Sequence, residues 1–436
     1  MRKILVCLLA LVMMVGIVAC NGNDAETAPP SQPADGGTAA PSPDSSTPAG
    51  GGDEDPPPLG EVLKIGAITS LSGALQDYGE QFQRGFNLGL EYMTDGTFVV
   101  ANRPIEVIWE DTTTTPDVAR ERTLVLLETH NVEIVTGFAS SGDAMASLAL
   151  FEEFETIAVI EPAASDALIT HPNWNDFIFR TGRTSGQDAL ALAAVLGNQA
   201  GGATKTVAAL APDSTFGYSM VEPFIAAVEA QGLEFVQVEY APADATDFSP
   251  YILRLRDTAP DFLYVIWAGA NSPWMQLMEL DLQSAGVTIV TGAPELAALR
   301  AMLTLGEMGG FGFCVYYPTL PQNEPMNEWM TRRHMEEHGI PTDIFTSGGF
   351  AAASAIITAL EKTGGVTDPD VLRAAMKGME FNSPTGMRYF RADDHQAMQP
   401  LFEIEFTKVD GEDHMVPKWV RTIPAEEITP PIMNRP

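Results

Sequence analysis

The chain is poor in cysteine and in positive charge. Its 436 residues include three cysteines, at positions 7, 20 and 314, which excludes a small fold stapled by many disulfides. Lysine and arginine number 24 against 58 aspartates and glutamates, giving a formal charge of −34. So acidic a chain repels phosphate backbones, which argues against nucleic-acid binding. Acidity otherwise speaks mainly to solubility. No Lys or Arg occurs between Lys3 and Lys64. Neither G-x-S-x-G nor a P-loop is present, so the sequence offers no nucleophile elbow and no phosphate cradle of that kind. What is present is apolar: 45% of residues are hydrophobic and 19% charged, enough for two globular domains with their own cores.

The first twenty residues stand apart. Arg2 and Lys3 precede an apolar run from Ile4 to Ala19 that falls short of the roughly 20 residues needed to span a bilayer. A charged start, a short apolar core and small residues at the end describe a cleaved export signal. The run ends Ile17-Val18-Ala19-Cys20, which resembles the bacterial lipobox. By that resemblance residues 1–19 are a lipoprotein signal peptide, and Cys20 becomes the lipid-carrying N-terminus on the outer side of a membrane. The alternative is an ordinary secretory signal cut at Ala19, with Cys20 incidental. Cys7 would leave with the signal. Only Cys314 would then remain besides the lipidated Cys20, so no disulfide is expected inside the mature domain. Cys314 lies in the apolar run Phe311–Tyr316 and is expected in a buried strand. Residues 20–60 are rich in Pro, Gly, Ser, Thr, Ala and Asp. They cannot bury an apolar face, so a disordered acidic tether is expected. About 40 residues of flexible coil reach about 35 Å end to end.

From Val62 the pattern changes. Strand patterns at 62–68, 105–109, 132–135, 157–160 and 177–180 alternate with helical ones, the first carrying Phe82, Phe86, Leu90 and Met93 on one face after Tyr78-Gly79. Pro116 opens the second helix, at a position where proline is favoured. A second alternation follows, with helices at 187–198, 218–230, 249–257 and 274–285 and strands at 205–210, 234–239, 262–267 and 287–291. Three further helical stretches lie near 324–338, 347–362 and 368–378, and strand-like segments at 387–390 and 401–407. Strands alternating with helices imply parallel sheets covered on both faces, and two such runs imply two α/β domains.

Open α/β sheets bind ligands beyond the carboxyl ends of their strands. The loops there carry Thr69–Gly73 with Gln76–Gly79, Gly137–Gly142 and Glu161–Ser165 in the first run, and Asp213–Gly217, Trp267–Asn271 and Gly292–Glu295 in the second. Ser140 and Ser141 sit where a helix begins, and free N–H groups there favour an anion. Ser165 occupies a similar place. Each serine is also an ordinary helix cap; their meeting at one sheet edge favours binding.

In that order and spacing, Ile65-Gly66 through Gly73, Tyr78-Gly79, Ser140-Ser141, Pro162-Ala163-Ala164-Ser165, Phe179-Arg180-Thr181 and Phe216-Gly217 resemble the branched-chain amino-acid (Leu/Ile/Val) type of periplasmic solute-binding protein. The resemblance covers nearly all of 61–436. It implies two Rossmann-like lobes joined by three crossover strands, the periplasmic binding protein type I architecture. Lobe I would be 61–181 plus 318–385, and lobe II 182–317 plus 386–436. It further implies that the lobes close on a solute and present it to ABC-transporter permease subunits. Ser140 and Tyr78 would line the pocket. Ser141 and Ser165 would bind the solute carboxylate. The Ala163 carbonyl and Ser165 hydroxyl would receive its ammonium, and Glu295 would pair with it. A monomer with no cofactor is implied. Departures are also visible. Where relatives often carry a disulfide, Thr114 and Ser140 stand, so packing alone would hold those loops. Phe216 replaces a common tyrosine. Trp267 or Asn271 would fill the side-chain pocket.

His334-x-x-Glu337-His338 matches an inverted zinc-protease motif. Gly339 and Pro341 follow at once, so the motif fills a helix's last turn, where histidines suit the dipole. Asp393-Asp394-His395 reads as a polar loop, Glu152-Glu153 as a solvated helix face, and His130, His171 and His414 stand alone. No catalytic constellation or metal site is expected. The remaining alternatives are the same fold with a non-amino-acid carboxylate, a short amide or urea, or a sensory module.

Overall fold

The computed structural model describes residues 59–269, 271–304, 310–321 and 323–435. The signal peptide, Cys20 and nearly all of the expected tether lie outside the described residues.

The chain opens with β1 (Leu63–Thr69) and α1 (Gln76–Met93), then β2 (Val99–Val100) and β3 (Arg103–Asp111). Next come α2 (Pro116–Leu124), β4 (Ile134–Gly137), α3 (Ser141–Glu153), β5 (Ile157–Ile160) and β6 (Ile178–Arg180). They form a six-stranded sheet in the order β2-β3-β1-β4-β5-β6, parallel except for β2. α1 begins four residues earlier than the sequence pattern suggests, so Tyr78 and Gly79 lie in its first turn. A side chain at Gly79 would put its Cβ 1.9 Å from the Ser70 carbonyl oxygen. That glycine lets the helix start pack against the loop after β1 and carries Tyr78 to the sheet edge.

The second run comprises α4 (Ser185–Ala200), β7 (Thr206–Asp213), α5 (Thr215–Ala230), β8 (Glu234–Pro242), α6 (Ser249–Thr258) and β9 (Phe262–Val265). It continues with α7 (Trp274–Glu279), β10 (Thr288–Gly292), α8 (Leu296–Thr304) and β11 (Gly310–Cys314). The expected helix over 274–285 stops at Glu279; a turn and a 3₁₀ segment complete it. Cys314 is fully buried in β11.

The chain then returns to the first core. α9 (Glu324–His338), α10 (Ile344–Thr363) and α11 (Pro369–Met376) are followed by a small antiparallel sheet of β12 (Glu380–Ser383), β13 (Gly386–Phe390) and β14 (Ala397–Met398). α10 is 20 residues long, apolar and 89% buried, the composition of a core helix. It crosses α1 so closely that a Cβ on Gly349 would stand 2.2 Å from the Phe82 carbonyl oxygen. Phe82, Phe86 and Leu90 of α1 bury completely or nearly so against Ala352, Ile356 and Leu360 of α10. Each large side chain so buried contributes about 1.5–3 kcal/mol. Finally β15 (Leu401–Thr407) and β16 (Val416–Ile423) add antiparallel edge strands to the second sheet, in the order β16-β15-β11-β10-β9-β7-β8.

Residues 386–398, placed in lobe II on sequence grounds, pack instead with lobe I. Phe390 and Ala397 share a core with Phe179, Phe381 and Ile356, while Leu401 enters the lobe II core. The chain therefore crosses between lobes at 181–184, within 315–321 and at 399–400. The earlier boundary at 386 fails because β13 pairs with its hairpin neighbour β12, which is anchored on α10 through the Ser354 hydroxyl bonding the Asn382 carbonyl at 2.7 Å.

Candidate functional site

The hinge is built from buried charge. Arg180 and Arg388 are 0% and 2% exposed. Arg180 Nη1 donates to the Ser165 carbonyl at 2.8 Å, and Nη2 donates to the Ala163 carbonyl at 2.6 Å. Arg388 donates to the Thr181 carbonyl at 2.7 Å and to the Ser383 and Thr385 hydroxyls at 3.1 and 3.0 Å. Glu161 lies among them, accepting from Thr181 at 3.0 Å. Burial raises the Glu161 carboxyl, opposed by the Arg388 charge. Burial lowers Arg388 to about 10, opposed by Glu161. Gln396 ties the third crossing to the first, donating to the Gly182 carbonyl at 2.6 Å. The segment Asp393–His395 is not simply a polar loop. His395 is fully buried, stacked on Phe179 at 4.1 Å, and its Nδ1 pairs with the Ile178 carbonyl.

Beyond the carboxyl ends of both sheets lies a cavity of about 490 Å³. That size suits a small solute. Seven of the nine residues expected at a ligand site line it: Tyr78, Ser140 and Ser141 from lobe I, and Phe216, Trp267, Asn271 and Glu295 from lobe II. Ala163 and Ser165 do not; they are 2% and 0% exposed, with their carbonyls engaged by Arg180.

Ser140 caps α3, its hydroxyl accepting from the Asp143 N–H at 3.3 Å. Ser140, Ser141 and Gly142 at this helix start line the cavity, and first-turn N–H groups have no partner within their own helix. The Ser165 N–H donates to the Ser141 hydroxyl at 3.2 Å, and the Ser165 hydroxyl caps its own short 3₁₀ turn at Ala167. Ser165 therefore meets the cavity lining through this bond to Ser141. Thr114 holds the loop after β1 by hydrogen bonds, not by packing alone: its hydroxyl accepts from the Leu75 N–H at 3.1 Å and donates to the Ser72 carbonyl at 3.2 Å. Asp111 gathers the same loop, accepting from Leu71, Ser72 and Thr113.

The two lobes meet around Tyr78, which stands beside Glu295 and accepts from the Gly269 N–H at 3.4 Å. The Leu296 N–H of lobe II donates to Asp343, the cap of α10, at 3.0 Å. Glu295 thus stands near Asp343 and Asp77. Burial pushes Glu295 up to about 7, and the two neighbouring carboxylates push the same way. Burial likewise raises Asp343 to about 6. No Lys, Arg or His pairs with Glu295 among the described residues. Trp267 packs edge-on against Phe248 at 4.8 Å, and its indole N–H bonds the Asn271 carbonyl.

Arg183 and Asp188 are among the cavity residues not anticipated from sequence. Arg183 and Asp188 flank the start of α4, with Arg183 Nε bonded to Asp188 at 3.1 Å. An arginine and an aspartate five apart at a helix start is the signal that could have found them.

His334 and His338 occupy the last turn of α9, their rings 4.8 Å apart. His334 Nδ1 pairs with the Ile340 carbonyl at 2.9 Å and Glu337 with Arg333. Among the described residues, no group of three His, Cys, Asp or Glu side chains is arranged to hold a metal.

Two α/β lobes joined by three crossings, with a cavity between them, define a two-lobed solute-binding protein. Residues 62–412 match the family model described as periplasmic binding protein, and the chain belongs to that family. It is similar to the structure of an ABC-type branched-chain amino acid transporter from Rhodopseudomonas palustris, at 36% identity and TM-score 0.74, covering 86% of this chain and all of that one. It is also similar to a Leu/Ile/Val-binding protein homolog of Brucella abortus, at 24% identity over 80% of this chain and 89% of that protein. A solute-binding protein from another Rhodopseudomonas palustris strain, solved with 3,4-dihydroxybenzoic acid, shares the fold at TM-score 0.74 and 24% identity, covering 84% of this chain and 98% of that one. The family consists of transporter solute-binding proteins, not enzymes. Membership implies an extracytoplasmic location, a small-molecule ligand and permease partners.

Proposed function

We propose that this protein captures an amino acid between its two lobes and delivers it to an ABC-transporter permease. The observation that carries this reading is Glu295: a carboxyl in the cavity, beside two more acids, with no cation paired to it among the described residues. A buried charge without a partner is costly, and the ammonium of an amino acid would supply one. Across the cavity, the first turn of α3 with Ser140 and Ser141 suits the carboxylate. A zwitterion satisfies both ends; a benzoate satisfies only the second. The solute would bridge the lobes and so favour the closed state. Isothermal calorimetry against free amino acids and 3,4-dihydroxybenzoate tests this. Binding of the aromatic acid and of no amino acid would overturn it.

The anchor belongs to the same proposal. Lipid on Cys20 would hold the lobes outside the membrane on the acidic tether. Cys20→Ala is expected to move the protein from the membrane fraction to the soluble fraction of cell extracts.

A further inference from the structure

The Arg183–Asp188 pair is not among the groups assigned above to an amino acid's carboxylate and ammonium, yet it lines the cavity. Arg183 uses only Nε on Asp188; neither Nη nitrogen has a partner among the described residues. Asp188 is 0% exposed, and its Oδ1 has no partner among them either. Tyr264, from β9, also lines the cavity beside both charges, and its hydroxyl makes no hydrogen bond to another described residue. By contrast, Arg180 and Arg388, in the same hinge region, spend their Nη groups on protein acceptors. Unfilled donors and an unfilled acceptor therefore sit side by side on one wall.

We propose that Arg183, Asp188 and Tyr264 form a side-chain subsite that selects an amino acid ending in a carboxamide or ureido group. This rests on the amino-acid reading of the cavity. The guanidinium can only donate, and an ionised carboxylate can only accept. A carboxamide carbonyl meets the Nη groups while its NH₂ meets Asp188 Oδ1, and Tyr264 takes either edge. A carboxylate side chain would suit Arg183 but face Asp188 with like charge. An ammonium side chain would do the reverse. A hydrocarbon side chain would bury both charges with their remaining hydrogen bonds unmade, which is costly for each group. Sites built to hydrogen-bond a substrate reject the analogue that lacks the group far more strongly than apolar pockets reject an extra methylene.

The test is calorimetry on the full chain with glutamine, asparagine, citrulline, leucine and glutamate. One of the amide or ureido ligands is expected to bind at least ~100-fold more tightly than leucine. Asp188→Asn keeps the shape and exchanges the acceptor charge for a neutral amide, so preference is expected to swing from glutamine toward glutamate. A purely structural role for Asp188 would not reverse that order. Arg183→Met is expected to abolish the preference for an amide; if it does not fold, Asp188→Asn still decides. Leucine or glutamate binding best to the unaltered protein, or an unchanged order in Asp188→Asn, overturns the subsite while leaving amino-acid capture standing. Absence of binding by every amino acid overturns both.

Discussion

Arg180 and Arg183 stand three residues apart and teach opposite lessons. Arg180 is spent within the protein, its guanidinium fixing the carbonyls of Ala163 and Ser165. Arg183, three residues further, makes a single side-chain bond to Asp188, and the rest of its fork has no partner among the described residues. The same division holds for the acids. Glu161 is enclosed by Thr181 and arginine charge, whereas Glu295 faces the cavity among like charges. Buried charge with partners builds the hinge; buried charge without them lines the cavity.

The hinge half of that comparison predicts the largest effect. Arg388→Met strips Glu161 of its nearest counter-charge and frees the Thr181 carbonyl. Stability is expected to fall by about 3–5 kcal/mol, read from urea unfolding. Cavity charges should behave the other way. Glu295→Gln is expected to weaken amino-acid binding by about 2–5 kcal/mol in calorimetry, while stability at pH 8 holds or rises. A variant that lost stability and kept affinity would place Glu295 with the hinge group.

Protonation sharpens the same contrast. Because the Glu295 carboxyl titrates near 7 and not in its ordinary range, the folded protein holds a proton there that the unfolded chain has lost. Its contribution therefore lowers stability as pH rises from about 4.5 to 7. An ammonium ligand favours the ionised form. Binding at pH 6.5 is expected to release a proton, and affinity to rise between about pH 5.5 and 7.5. Calorimetry in buffers of different ionisation heat reads the release, which Glu295→Gln should remove. The smallest effect is expected at Thr114. Thr114→Ala loses the bonds to Leu75 and Ser72 and should cost about 1 kcal/mol, seen as a modest drop in melting temperature.

The α/β alternation was legible because helices and strands announce themselves by local period. Most of the residues picked out in the strand-end loops line the cavity. What failed was non-local. α8 and β16 went unseen, the latter because Pro417 and Lys418 disguise an edge strand that β15 supplies with partners. The hinge boundary was misplaced because β13 reads like any strand, and only its pairing with β12 and packing on α10 assign it to lobe I. Arg183 was passed over because one arginine in a polar turn carries no mark of an unfilled guanidinium.

The sequence by itself determined the elements, their order and the polar loops that end the strands, since periodicity and capping are properties of neighbouring residues. Only the tertiary structure decided which charges are satisfied. Ala163 and Ser165 turned inward to Arg180, and Glu295 was left beside Asp77 and Asp343. Whether a buried ion has a partner depends on residues a hundred or more positions away, and no local pattern records it.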